Sequence, residues 1–249
     1  AAAVLALSAS LLVGCSSGTA SSVPVSASSA AESTVSSVEE TASSAVDENE
    51  AAAAQLLNDL TGSYQELWPV ILADEYKQTW LDDCTALVGE DNAEAAFEKL
   101  SSMVTGDVYG EDAVKAYANG GGAYFCGFTN SLAILTFDGE TSTISGTDKD
   151  GNVLFSHTYH YIGMEPVRGL YEFQSDDADS GEFTYFFLAP DTSAETYHIE
   201  FRYGSDAEAL SQYDTGEYAY WLASGISTDC DQTMIDNCIE LFCTENLAG

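Results

Sequence analysis

The chain has 249 residues, 45% of them apolar and 11% aromatic, which is enough for a real core in one or two domains. Its 41 acidic residues stand against 6 basic ones, a formal charge of -35, and no basic residue precedes Lys77. Nucleic acid and anionic membrane surfaces are therefore poor partners, since both require a basic patch; the charge reads as a solvated acidic surface that keeps an exported protein in solution.

Residues 1–14, AAAVLALSASLLVG, are an apolar run ending on small residues. The run is too short to span a bilayer and has the character of a signal-peptide core without its charged leader. Leu12, Val13, Gly14 and Cys15 follow the pattern of a bacterial lipobox, whose cysteine is lipidated and becomes the first mature residue. From 16 to 50 the composition shifts to Ser, Ala, Thr, Val and Glu, with no aromatic residue. Such a segment buries too little to offset the entropy of ordering it and reads as a disordered tether. As a polar coil its reach would be about 30 to 35 Å, holding a domain of residues 51–249 just off a membrane.

That domain opens helically. Residues 51–60 are rich in Ala and Leu, SYQELWPVIL (63–72) reads as helix, and helical patterns continue through 74–88 and 91–104, with a weaker one over 109–118. Gly120, Gly121 and Gly122 end this run. Seven short segments rich in β-branched and aromatic residues follow: 123–128, 132–137, 141–147, 152–161, 169–173, 182–189 and 196–203. Turn signals such as Asp138-Gly139 and Asp150-Gly151 separate them, and the spacing predicts an antiparallel barrel or sandwich. Ser205 to Glu208 reads as a capping box. Residues 228–231 open a last helix whose Met234, Ile235, Cys238, Ile239 and Phe242 form one apolar stripe.

Five cysteines remain beyond Cys15: Cys84, Cys126, Cys230, Cys238 and Cys243. No CxxC occurs, connectivity is not legible from sequence, and a disulfide that includes Cys230 or Cys243 is expected before a cysteine-only zinc site. Strand parity places His157 among Val153, Phe155, Tyr159 and Tyr161, and puts His160 on the opposite, polar face. In YHIEFRY (197–203) the side chains of His198, Glu200 and Arg202 share one face, and the first two stand about 6.5 to 7 Å apart along the strand. An imidazole and a carboxylate at that spacing can reach one ion, and zinc accepts both donor types. The rival readings are a Glu200–Arg202 ion pair and a plainly solvated face. No nucleophile elbow, HExxH or phosphate loop occurs, so nothing points to an enzyme.

Four stretches together resemble the ZinT family of exported zinc-binding proteins: LTGSYQELWPVIL (60–72), VRGLYEF (167–173), YHIEFRYGSDAEAL (197–210), and YWLASGIS with the final helix. The resemblance implies a mainly β, calycin-like (lipocalin-like) antiparallel barrel with N-terminal and C-terminal helices packed on it. It also implies zinc held at a barrel opening by three histidines, two as His-x-His and one earlier. The His-x-His positions fall on His198 and Glu200; the earlier one falls near Ala189, where there is no histidine. His160 and Asp191 are the candidates for a third ligand.

The expected function is thus a lipid-anchored extracytoplasmic domain that binds zinc or another divalent ion, buffering it or passing it to a metal-uptake transporter. The alternatives are a calycin-type module with a small apolar ligand inside the barrel, and a metal-independent surface interaction domain.

Overall fold

Alternating apolar residues produce most of the architecture. The computed structural model describes residues 48–190 and 198–248. Eight strands run in the order β1 (Gly62–Glu66), β2 (Ile134–Asp138), β3 (Thr143–Thr147), β4 (Val153–Met164), β5 (Tyr171–Ser175), β6 (Tyr185–Leu188), β7 (His198–Gly204) and β8 (Ala223–Ser227). Each pairs antiparallel with the next, and β8 returns to β1 to close the barrel. The expected calycin-like architecture, a closed antiparallel barrel with flanking helices, is the one observed.

Seven α-helices flank it among the described residues. They are α1 (48–59), α2 (Leu67–Ile71), α3 (Lys77–Val88), α4 (Glu90–Met103), α5 (Glu111–Ala118), α6 (Ala207–Leu210) and α7 (Gln232–Leu247). None of these is long and apolar enough to cross a membrane. Cys15 and most of the predicted tether lie outside the described residues, and α1 begins inside the range assigned to the tether, at residue 48.

Three expectations need correction. The stretch 63–72 is not one helix: residues up to Glu66 form β1, and α2 begins at the next residue. Tyr64 alternates inward and meets Phe137 edge-on at 5.6 Å, so the pull of the barrel interior overrides local helical preference. The segment 123–128 is not a barrel strand, because β1 and β8 close the ring without it; Phe125 makes only isolated bridges, to Thr105 and Trp221. The helix after β7 is capped by Asp206, whose carboxylate accepts from the Glu208 and Ala209 amides, and not by Ser205.

Two cores result. The barrel interior is filled by side chains including Phe137, Phe155, Phe173, Phe186, Phe201 and Tyr203, all at most 5% exposed. Their rings touch one another, Phe155 to Phe186 at 5.8 Å and Phe186 to Tyr203 at 5.3 Å. The second core lies between the outer wall of the barrel and the helices, where Trp68, Ile71, Trp80, Leu100 and Ile239 pack with Ile226 of β8.

Candidate functional site

The alternation read from YHIEFRY is present, but its polar face meets protein. Ile199, Phe201 and Tyr203 point into the barrel, where Phe201 packs edge-on against Phe128 at 5.3 Å. His198 and Glu200 are half-buried on the outer face of the wall. Their cross-strand partners on β8 are Ile226 and Ser224. Ile226 belongs to the helical core and Ser224 is 2% exposed. The pair therefore lies on the outer wall next to the strand that carries the helical core, with His198 at the first residue of β7.

Arg202 leaves the constellation. It is 0% exposed, and both terminal nitrogens of its guanidinium are occupied by backbone carbonyls. Nη1 donates to Leu210 and Gln212, and Nη2 donates to Gln212 and Tyr218. The Tyr213 ring lies 4.3 Å from the guanidinium carbon. Burial pushes the Arg202 pKa down, and the Tyr213 hydroxyl opposes that shift. The wet-face reading fails, and so does the view of Arg202 as mainly the partner of Glu200. The group is a buried clasp that holds the 205–222 segment to β7.

The barrel register also separates His160 from His198. His160 aligns with Gln174, then Tyr185, then Gly204, three strands away and six residues from His198 along β7. At about 4.8 Å per strand and 3.3 Å per residue, that is about 14 Å across and 20 Å along. His160 instead bonds Asp176 at 2.6 Å on the exposed surface. His157 sits beside Phe155 and Tyr159 as parity predicted, and its Nδ1 also bonds Asp177 at 2.8 Å. The other candidate ligand, Asp191, lies outside the described residues.

Around Glu200 the structure assembles one position that the sequence reading named, Ala189, and one residue that it missed, Cys126. On the β6 side the Ala189 amide donates to the Glu200 carbonyl at 2.9 Å, so position 189 adjoins Glu200 across the two strands. On the β8 side the Ser224 amide donates to the Cys126 carbonyl at 3.0 Å, which brings a loop cysteine to the same wall. Cys126 is 7% exposed. Its thiol is pushed up to about 12, first by burial and next by the Glu200 carboxylate, while Ser224 and Trp68 pull the other way. No sequence signal marks Cys126, since its neighbours come from β7, β8 and α2.

Cys126 also borders a cavity of about 320 Å³, lined mainly by Trp68, Leu72, Val104 and Phe125, with Glu66 beside them. The Glu66 carboxylate is engaged by the Phe128 amide at 2.6 Å. The donors on β7 suit zinc in kind but not in number: among the described residues no three His, Cys, Asp or Glu side chains form a group that could hold a metal ion.

No protein-family profile and no curated sequence matches the chain. Among solved structures, the Zn(II)-bound ZinT-like domain of Streptococcus pneumoniae AdcA is similar over 74% of this chain and 89% of that one, at 15% identity and a TM-score of 0.46. Zn(II)-bound AdcA from the same organism is similar over 75% of this chain and 35% of that one, at 14% identity and a TM-score of 0.43. The first carries the family name that the four sequence stretches resemble. Similarity at this level assigns no ligand to this chain.

Proposed function

We propose that the chain is an extracytoplasmic domain, tethered through a lipid on Cys15, that binds a divalent metal ion as cargo, with zinc the first candidate. The observation that carries this reading is the placement of His198 and Glu200 on one half-buried face of β7, with position 189 beside Glu200. An imidazole nitrogen and a carboxylate oxygen are ordinary zinc donors. Asp191, two residues beyond Ala189, is a further carboxylate close in sequence to that position. With fewer protein donors than a three-histidine site, the ion is held weakly and exchanges readily, which suits buffering or hand-over to an uptake transporter. The domain is a binding protein and not an enzyme in this reading.

Isothermal titration of residues 47–249 with zinc tests it. Saturable one-to-one binding is expected, lost in His198→Ala and weakened in Glu200→Gln and Asp191→Asn. Absence of saturable binding, or binding untouched by His198→Ala, sinks the proposal.

One observation favours a second reading. The barrel interior is packed, so an apolar ligand would not sit there, but the cavity beside Trp68 and Phe125 is at the lower end of the size of small-molecule sites. Native mass spectrometry of protein from its own host would then show an organic mass that disappears in Val104→Trp.

A further inference from the structure

Two cysteines of the helical core meet although they are 159 positions apart in the chain. The sulfurs of Cys84 in α3 and Cys243 in α7 are 3.9 Å from each other, and both side chains are fully buried. Around them the core is aromatic: Trp80 lies one turn before Cys84, Phe242 adjoins Cys243, and their rings are 5.9 Å apart. In the reduced state the two thiols share a weak S–H···S contact. An S–H group is a weak donor, and burial raises both pKa values, so neither is poised as a nucleophile or metal ligand in the folded protein.

We propose that Cys84 and Cys243 form a structural disulfide. A sulfur–sulfur bond is about 2.05 Å long, so the two atoms must approach by a little under 2 Å. The two cysteines sit on packed helices, so side-chain rotation with a small shift between α3 and α7 would close that distance. The bond forms before the helical layer closes over the thiols, by exchange with a disulfide oxidant R–S–S–R of the oxidising compartment. The thiolate of one cysteine attacks the oxidant and expels R–S⁻; the thiolate of the other attacks the mixed disulfide and expels the second R–S⁻. The two cysteine protons end on two R–SH, and the two electrons reduce the oxidant. Once the core has packed, burial shields the bond from reductants. It would close a loop containing β2 to β8, joining the helix before most of the barrel to the helix after it.

Formation in the organism rests on the export part of the functional reading, but the pairing itself is testable without it. The full chain carrying Cys15→Ser is refolded with oxidised glutathione, unfolded without reductant and treated with maleimide. Three of the five remaining cysteines should be labelled, and a linked peptide should contain residues 84 and 243. Cys84→Ala and Cys243→Ala should each take four labels. The oxidised protein should unfold at a higher temperature than the reduced one. Five labels after oxidative refolding, a linkage between other cysteines, or a single variant that still protects two thiols overturns the pairing. Zinc titration of the same oxidised and reduced samples reports separately on the metal site.

Discussion

Replacing Arg202 by methionine keeps most of the side-chain volume while removing the charge and every hydrogen bond it donates. Four donor–acceptor contacts to the Leu210, Gln212 and Tyr218 carbonyls are lost, together with the cation over the Tyr213 ring. Leaving a buried acceptor unsatisfied costs about 1 to 3 kcal/mol, but some of that is offset because a buried charge no longer has to be desolvated. The carbonyls are partly able to turn to water once the 205–222 segment loosens. A net loss of about 3 kcal/mol follows. For a unit of this size each kcal/mol moves the unfolding midpoint by roughly 2–4 °C, so a fall of about 6–12 °C is expected. Thermal unfolding followed by circular dichroism measures it, with urea unfolding to check that the transition stays cooperative. Arg202→Lys should fall between wild type and methionine, because a point charge reaches one or two carbonyls but cannot stack flat on Tyr213. A midpoint for Arg202→Met within about 2 °C of wild type would refute the clasp, since that is less than the smallest single unsatisfied carbonyl should cost.

Three further outcomes are expected. Cys126 should resist iodoacetamide at pH 8 in the folded protein and react only on unfolding; in Glu200→Gln its thiol pKa should drop, since the nearby negative charge that raises it is gone. Asp83 has a raised pKa, from burial first and then from Glu240, Asp236 and Asp82, and one carboxylate oxygen is buried without a partner. Its folded pKa exceeds its unfolded value, so stability is lost as pH rises from about 3.8 through the folded pKa. Asp83→Asn should therefore raise the unfolding midpoint at pH 7 and give no gain below pH 3.8, as read by thermal melts across pH. Amide hydrogen exchange should be faster in β1 and β8 than in β4 and β5; equal protection would count against a weak seam between β1 and β8.

Six strands, β2 to β7, were legible because each has one face in the barrel core and one outside it, and turn-forming residues, Gly in most of the connections and Pro-Asp between β6 and β7, separate them. The other two were hidden for different reasons. β1 runs without a turn into α2, so its five residues merge with a helix-like apolar stretch. β8 is ASGIS, buried on both faces, and so shows no alternation. A side chain at Gly225 would meet Ile199 at 3.1 Å and Phe128 at 3.3 Å, which explains the glycine at the centre of the strand. Parity placed His198 and Glu200 on one face, but periodicity could not say that the face is half-buried or that the Cys126 loop adjoins it. Arg202 looked like a partner for its neighbour because backbone carbonyls 8 to 16 residues downstream carry no residue signature. Cys126 was invisible for a similar reason, as its neighbours come from other elements.

The two inconspicuous strands are also the two that pair with each other, Tyr64 with Ser227 and Glu66 with Gly225. The cylinder is thus sealed by its least strand-like sequences, across the longest chain separation among its strand pairs. Hairpins from β2 to β7 can form from near neighbours, whereas the seam must await both ends of the domain, with four helices between β1 and β2. Order of assembly and order of opening should then mirror each other, the last joint made being the first to part.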